Sequence, residues 1–257
     1  MLRSMYSGVS GLKTQQIKMD TIANNIANVN TVGFKQGDVY FKEMLSQDLG
    51  SSSAGAPFNR EVGLGVSVGA IDTKFIQGAL QSTGRELDFA IQGDGFFTVQ
   101  TESGDTMYTR DGIFTWDSEG VLRTTDGHKV LGKDGQPINK QVQEVDEEGN
   151  PLTDKTGNPV MRDLTTNELM ESFQINTFNN PAGLQKAGNN YYVESSISGQ
   201  PQAYEGSSIV SGAVEMSNVD LSTEFTNMII TSRAFQANSR TITTSDEMLQ
   251  ELVNLKR

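Results

Sequence analysis

The sequence contains no cysteine, and its 257 residues include a single histidine, His128. Without cysteine the chain can form no disulfide, thiolate nucleophile, iron–sulfur cluster or cysteine-ligated zinc site. One histidine also excludes paired-histidine metal sites and removes most histidine-based proton relays. We therefore expect no catalytic residues, no metal ligands and no cofactor, and we do not expect an enzyme.

Basic charge is also scarce, because 20 Lys and Arg face 32 Asp and Glu, for a net charge of -12. Nucleic acid needs a basic partner surface, so no nucleic-acid binding is expected. No apolar run approaches the roughly 18–20 residues of a membrane span, so membrane insertion is not expected either. Polar residues and Gly8 interrupt the N-terminal stretch, which argues against a secretory signal. By themselves these rules predict a cytoplasmic chain.

Three local patterns invite a ligand-binding interpretation, and each has a simpler one. Residues 63–69 read G-x-G-x-x-x-G with no helical pattern after them, which favours a Gly-rich strand or bulge over a nucleotide loop. The acidic run 146–149 lacks the ligand spacing of a calcium loop, so a solvated turn is expected. Nothing singles out a carboxylate pair suited to glycoside hydrolysis. No binding or catalytic site is therefore predicted.

Both ends of the chain carry apolar residues at the 3-4 spacing of coiled-coil helices. The first pattern stops near Gly33, which can adopt the left-handed conformation that ends helices. The second follows Asp220, an N-cap residue type, and residues 221–255 contain no Gly or Pro, so one helix of about 50 Å is expected. The positions predicted to mediate subunit assembly are Leu2, Met5, Val9, Leu12, Met19, Ile22, Ile26, Leu221, Phe225, Met228, Phe235, Ile242 and Leu249.

The middle of the chain has the features of a β-domain. Four Asp-Gly pairs, at 94–95, 111–112, 126–127 and 134–135, are hairpin signals between short β-prone runs. The expected fold class is α+β, with the terminal helices paired as a coiled-coil-like domain and a hairpin-rich all-β domain inserted between them. The predicted boundaries are 1–34 and 217–257 for the helical assembly domain, 35–84 for an extended linker region and 85–216 for the β-rich outer domain.

A narrow apolar stripe has to be buried against something. One interpretation is an antiparallel helix pair inside a single molecule. The other is that the stripes pair partly within the chain and partly between copies, because Ser, Gln and Asn within them weaken isolated pairing while specifying register. From the residues alone, assembly is only slightly favoured over the internal pair.

The motifs then resemble a known family. Ser4–Leu12 with Ala23–Lys35 resembles the N-terminal signature of bacterial flagellar rod and hook proteins. Asp88–Phe97 with Tyr108–Gly112 is similar to that family's central β motif, and Ser217–Leu221 with Arg233–Arg240 to its C-terminal motif. The residues that carry the motifs are Asn24, Asn25, Asn28, Asn30, Thr31, Gly33, Phe34, Gly93, Gly95, Phe96, Phe97, Asn218, Asp220 and Asn238.

This resemblance implies a structural subunit of the flagellar axis, in the hook or the distal rod. Residues 63–66, 77–85 and 246–257 look most like hook proteins, whereas the length is closer to the distal rod protein. The hook is therefore the expected location and the distal rod the alternative. The implied partners are further copies in a helical homopolymer, neighbouring rod, hook-cap and hook–filament junction proteins, and the flagellar export apparatus. Export without a cleaved signal peptide would reverse the cytoplasmic expectation.

A β-domain adhesin or carbohydrate-binding module with helical tails is a further alternative. Trp116, Tyr108, Tyr191 and Tyr192 could form a sugar-stacking face, although aromatic residues in such strands are more often core. A hydrolase ranks below both interpretations.

Overall fold

The computed structural model describes residues 2–48, 61–143, 161–204 and 206–255. Its helices are α1 (Leu2–Ala27), α2 (Thr166–Ser172) and α3 (Leu221–Leu255). The first strands are β1 (Gly37–Glu43), β2 (Ser46–Asp48), β3 (Glu61–Gly63), β4 (Val66–Thr73), β5 (Leu80–Ser82), β6 (Phe89–Gln92), β7 (Phe96–Gln100), β8 (Thr106–Thr109), β9 (Phe114–Trp116) and β10 (Leu122–Thr124). The others are β11 (Lys129–Val130), β12 (Gln141–Gln143), β13 (Met161–Asp163), β14 (Ile175–Thr177), β15 (Gln185–Gly188), β16 (Tyr191–Val193), β17 (Gln202–Ala203), β18 (Ser208–Ser211) and β19 (Ala213–Glu215).

The chain divides into two compact units. The helical unit comprises residues 1–29, 36–74 and 219–257, and the β unit comprises 30–35 and 75–218. The α+β class is confirmed, with long helices at both ends and strands between them. No helix in the described ranges combines the length and the apolarity that crossing a membrane requires.

Both terminal helices have the predicted extent. Gly33 has a φ of +69°, the left-handed conformation expected after the first helix. Asp220 caps α3, because its carboxylate accepts hydrogen bonds from the amides of Ser222 and Thr223 at 3.1 and 3.3 Å. The absence of Gly and Pro after Asp220 allows α3 to continue without a break to Leu255.

The region 35–84 differs from the extended linker that the sequence predicts. β1 and β4 form a seven-pair antiparallel ladder, β2 pairs with β3, and both ladders belong to the helical unit. Strand pairing satisfies backbone groups that an extended linker would leave to water. Gly69 has no partner in the β1–β4 register, so the glycine-rich stretch is a bulged strand, as expected. The Ser-rich part of the predicted link, 49–60, lies outside the described residues.

The β unit is built on a nine-stranded antiparallel sheet. Seven strands follow the order β15-β16-β8-β7-β11-β10-β9, and β14 pairs with both β7 and β17. The β12–β13, β18–β6 and β19–β5 pairs complete the unit. Its main core comprises Phe89, Ile91, Phe97, Val99, Met107, Phe114, Leu122, Val130, Ile138, Leu169, Phe173, Ile175 and Tyr191. Several of these rings meet edge to face, the geometry that aromatic pairs prefer.

Two of the four Asp-Gly pairs are tight turns of the expected kind. Gly127 and Gly135 have φ values of +89° and +69° and lie in turns. Gly95 joins β6 to β7, strands that are not paired with each other. At Gly112 a Cβ would overlap the carbonyl oxygen of Phe89, so this glycine permits close backbone packing and does not form a hairpin turn. The acidic run 146–149 lies outside the described residues.

Candidate functional site: an apolar face beside a polar helix seam

The antiparallel contact between α1 and α3 is made by small and polar side chains. Ser4 Oγ lies 3.3 Å from Ser245 Oγ, and Asn25 Nδ2 donates to Glu224 Oε2 at 3.3 Å. Between these two layers, a Cβ on Gly11 would lie 2.6 Å from Asn238 Nδ2. The layers are separated by multiples of seven residues on both helices, which fixes one antiparallel register. We call this row of contacts the polar seam.

Glycine lets the two helices approach closely along the seam. Gly8 and Gly11 are both buried, and a Cβ on Gly8 would lie 3.0 Å from Ile242 Cγ1. Glycine in a helix interior costs about 1 kcal/mol relative to alanine, so the pair sacrifices helix propensity for proximity. On α3 the buried residues are Glu224, Thr231 and Ser245, again seven or fourteen residues apart. None of them is apolar.

Most residues of the predicted apolar stripes lie beside the polar seam; Ile22, which is buried, and Ile242, which contacts Gly8, are the exceptions. At 3.6 residues per turn and with the antiparallel register above, both stripes fall on the same side of the helix pair. The layers at that register are Met5 with Ile242, Leu12 with Phe235, Met19 with Met228 and Ile26 with Leu221. We call this surface the apolar face. It combines two patterns that lie more than 190 residues apart in sequence.

Most side chains of the apolar face are only partly covered. Phe225 is 50% exposed, and Val9, Leu221 and Phe235 are also exposed. Ile22 is the one predicted stripe residue with a described side chain that is buried. The half-buried members are Met5, Leu12, Met19, Ile26, Met228, Ile242 and Leu249. The side chain of Leu2 lies outside the described residues.

The β1–β4 ladder adds further exposed apolar side chains to the helical unit. Tyr40, Phe41 and Ile71 are exposed on it, and Met44 and Leu45 are exposed directly after β1. Lys18 of α1 lies over the Phe41 ring at 5.6 Å from its centroid, which holds the ladder against the helix. Sequence patterns did not mark these residues, because the ladder falls in the predicted linker.

Asn25 is a structural anchor of the helical unit. Its amide donates to the carbonyl oxygen of Gly37 at 2.8 Å and accepts from the Gly37 amide at 3.0 Å, as a neighbouring strand would. Glu224 also accepts a hydrogen bond from Gln36 at 2.7 Å. Nearby, Asn28 donates to the carbonyl oxygen of Asn24 at 2.9 Å and helps close the last turn of α1. These contacts secure the chain where α1 ends.

A buried ionic cluster organises the β unit, and no sequence pattern marked it as a unit. Lys35 Nζ donates to Glu215 Oε1, and Arg110 donates to Glu215 Oε2 at 3.0 Å. All three side chains are at most 3% exposed. The Gly78 amide supplies another hydrogen bond to Glu215 at 2.8 Å. Burial lowers the pKa of Lys35, and the negative charge of Glu215 opposes that shift.

The motif glycines and aromatic residues of the β unit have structural roles in close packing. Gly33 donates its amide to the Glu215 carbonyl oxygen at 2.8 Å, and a Cβ there would lie 2.7 Å from the Asp111 nitrogen. A Cβ on Gly95 would overlap Ile175. Asn218 donates a hydrogen bond to the Ile76 carbonyl oxygen at 3.2 Å, and Gly93 has a φ of +113°. The remaining motif residues of this unit are Asn30 and Thr31, in the connection after α1, and the buried rings of Phe34, Phe96 and Phe97.

The aromatic residues considered for sugar stacking are mostly core. Tyr108, Tyr191 and Tyr192 are buried, and Trp116 packs against the main core. Desolvation raises the pKa of Tyr108 to about 12. His128 packs edge-on against Tyr191 with ring centroids 5.0 Å apart. Within the described ranges, no group of three or more His, Asp and Glu side chains could hold a metal.

These features define an α+β protein whose long terminal helices meet through a polar seam and present a partly uncovered apolar face. Comparison with known proteins identifies the family. Three family models match: the flagella basal body rod protein over residues 5–35, the flagellar hook protein FlgE/F/G D1 domain over 90–178 and the flagellar basal body rod FlgEFG protein C-terminal region over 210–255.

Whole-length relatives agree with the family models. The chain is 48% identical to a flagellar basal-body rod protein FlgG of Bacillus subtilis and 37% identical to one of Borreliella burgdorferi, with all of each chain covered. It is 29% identical to a flagellar hook protein FlgE of Borreliella burgdorferi, also over the full length of both. The chain therefore belongs to the bacterial flagellar rod and hook axial family, and it is a structural subunit of the flagellum.

Identity to the rod relatives exceeds identity to this hook relative, so the comparisons favour the rod over the hook that the sequence analysis put first. The motifs at 63–66 and 77–85 were therefore poor discriminators. Both are explained by ordinary strand structure, in β3–β4 and around β5. Chain length was the better guide.

Proposed function

We propose that this chain is a subunit of the distal rod of the bacterial flagellum, and that it polymerises through its helical unit into a helical tube that transmits torque. The observation that carries this proposal is the placement of apolar residues beside the polar seam. A helix pair whose only task was to cover its own apolar side chains would place them in the centre of its contact. Here the layers that fix the register are Ser, Gly, Asn and Glu, and the described apolar residues of the stripes, apart from buried Ile22, remain partly exposed.

The energetics favour burial between copies. Full burial of a Leu, Met or Phe side chain contributes roughly 1.5–3 kcal/mol. The partly covered side chains of the apolar face and the exposed residues of the β1–β4 ladder thus hold a driving force that the single chain does not use. Exposed apolar patches of this kind mark interaction surfaces in soluble proteins.

The β unit is suited to an outward position in such a tube. It holds most of the acidic excess of the sequence, and its main core residues are buried within the single chain. Like charge on an outer surface would keep separate tubes apart. Export through the flagellar apparatus without a cleaved signal is part of the same proposal. The absence of cysteine suits it, because the chain needs no oxidation on the way.

Electron microscopy of basal bodies from a strain lacking this chain tests the assignment. We expect a shortened rod that carries no hook. A full-length rod that lacks only its hook would reassign the chain to the hook. Intact rods and hooks would overturn the proposal altogether.

Substitutions on the apolar face test the mechanism. Leu12→Asp or Phe235→Asp should abolish incorporation into basal bodies, because each places a charge in a desolvated contact. Phe235→Leu is the matched control, because it keeps the surface apolar and should assemble. Fluorescence of Trp116, which packs against the β-unit core, should be unchanged in every variant. If Phe235→Asp assembles as well as the wild type, the apolar face is not the assembly surface.

A further inference from the structure

The register of the polar seam leaves the end of α3 without a counterpart on α1. Ser4, close to the start of α1, lies against Ser245, whereas α3 continues to Leu255. Residues 248–255 therefore extend past the described start of α1 by about 12 Å, at 1.5 Å per residue. We call this segment the overhang. Val253 in it is 64% exposed, and Met248, Leu252 and Leu255 are exposed as well.

The overhang cannot fold back to cover these side chains. Residues 221–255 form one continuous helix without Gly or Pro, the residues at which helices most readily bend sharply. The described part of α1 runs away from it. Among the residues that the structure describes, none covers the apolar side chains of the overhang, so they are available to another molecule.

A complementary surface lies on α1 of the same unit. Arg3, Tyr6, Val9, Lys13 and Ile17 follow one another at helical spacing on the side of α1 that points away from the polar seam, and Val9 lies where this side borders the apolar face. All five are exposed, and Tyr6 is 72% exposed. We call this surface the outer face of α1. It alternates apolar side chains with two cations.

Over residues 247–255 and 3–17, the charged side chains of the two surfaces have opposite signs. Glu247 and Glu251, one turn apart, flank the apolar side chains of the overhang and are exposed. Arg3 and Lys13 are the cations of the outer face. Within the described ranges none of these four residues forms an ion pair. Charge complementarity of this kind selects a partner and its orientation.

We propose that in the polymer the overhang of one copy packs on the outer face of α1 of the next copy, with Glu247 and Glu251 directed at Arg3 and Lys13. This inference rests on the proposed self-assembly and names the contact that propagates it. The two surfaces are different patches of one chain, so the contact is heterologous, and when its rotation does not close it yields an open helical polymer. It also gives the polymer a direction, because each copy donates its overhang to one neighbour and accepts one from the other.

Engineered cysteines can test the contact directly, because the chain has none of its own. Basal bodies from cells expressing Val9→Cys together with Leu252→Cys should give a ladder of disulfide-linked multimers after oxidation. As a control, Ser4→Cys with Ser245→Cys should cross-link within one chain and leave it monomeric on a denaturing gel. Normal rods with no multimer from the first pair would overturn the inference and leave the proposed function standing. A deletion strain with intact rods would remove the proposed function itself.

Charge reversal gives an independent readout. Lys13→Glu and Glu251→Lys should each reduce rod incorporation, and the two together should restore it. Glu119→Lys, an exposed change in a turn of the β unit, should not rescue Lys13→Glu. Equal incorporation by all single variants, or rescue by Glu119→Lys, would contradict the proposed pairing.

Discussion

The two units of this protein differ in how far they bury their apolar side chains within a single chain. The β unit buries a dense set of aromatic and aliphatic side chains around Phe97 and Phe114, and three charged residues form a closed ionic cluster inside it. The helical unit places Ser, Gly, Asn and Glu at the centre of its helix contact and leaves Phe225 half exposed. A well-buried core is typical of a domain that is stable alone. A partly exposed apolar face is typical of an interaction surface.

The comparison also explains why the longest helices need not be the most stable part of the chain. Helix stability in proteins comes mainly from the packing of an apolar face, and propensity contributes little. In the helical unit that face is only partly packed. The polar seam fixes register at low energetic gain, as buried polar residues do in coiled coils.

The largest contrast is expected between two phenylalanines. Phe114→Ala removes a fully buried ring from the β-unit core and should cost about 3–5 kcal/mol of unfolding free energy. Phe235→Ala, on the apolar face, should leave that free energy nearly unchanged and impair assembly. Urea unfolding followed by Trp116 fluorescence measures the first effect, and rod incorporation measures the second. Similar unfolding midpoints for the two variants would contradict the proposed difference in burial between the two units.

The ionic cluster should give the next largest effect. Glu215→Gln leaves Lys35 and Arg110 buried without their shared counter-charge, at a cost of about 3 kcal/mol or more. The exposed pair of Arg162 and Glu168 is the control, and Arg162→Ala should scarcely change the unfolding midpoint. Equal effects would mean that the cluster does not organise the β unit.

A pH dependence should come from Asp111 in the β unit. Burial raises its pKa from an ordinary 3.8 to about 6, so the folded state binds this proton more tightly than the unfolded state does. The contribution of this group to stability therefore increases as the pH falls from above 6 towards 4, by at most about 3 kcal/mol. Asp111→Asn should be more stable than wild type at pH 7.5 and should lose this part of the pH dependence. Thermal unfolding between pH 4.5 and 7.5 measures both.

The smallest effect is expected at the cap of α3. Asp220→Ala removes the acceptor for the Ser222 and Thr223 amides and should fray the first turn without unfolding the helix. Hydrogen exchange at those two amides should accelerate, while exchange in the β unit stays the same. Asp220→Asn should retain most of the protection, because asparagine is also a good cap. A global loss of protection in Asp220→Ala would show that the cap supports more than its own turn.

Sequence patterns were sufficient for the helices and for much of the β unit. The 3-4 spacing and the uninterrupted run after Asp220 are local features, and α1 and α3 follow them closely. The β1–β4 ladder was missed because Gly and Ser around it suggested a linker, whereas its strands pair across a gap of more than 20 residues. The ionic cluster was missed for a related reason, since its members lie 75 and 105 residues apart in sequence.

For the apolar face too, part could be predicted from the sequence and part could not. The sequence pattern predicted which residues form the stripes. It did not predict that most of them lie away from the centre of the contact between α1 and α3. A 3-4 pattern identifies an apolar side of a helix and does not say which other side chains will pair most closely. Only the antiparallel register showed that Gly11 and Asn25, and not Leu12, face α3 directly.

By itself the sequence determined the helical ends, the β-rich middle, the absence of thiol chemistry and the motifs of the family, because each depends on residues close together in the chain. The tertiary structure decided which surfaces of those elements are buried and which are exposed. It placed polar residues in the seam, apolar residues beside it and the end of α3 beyond it. These outcomes depend on the antiparallel register between two helices that are far apart in sequence. A local sequence pattern carries no information about that register.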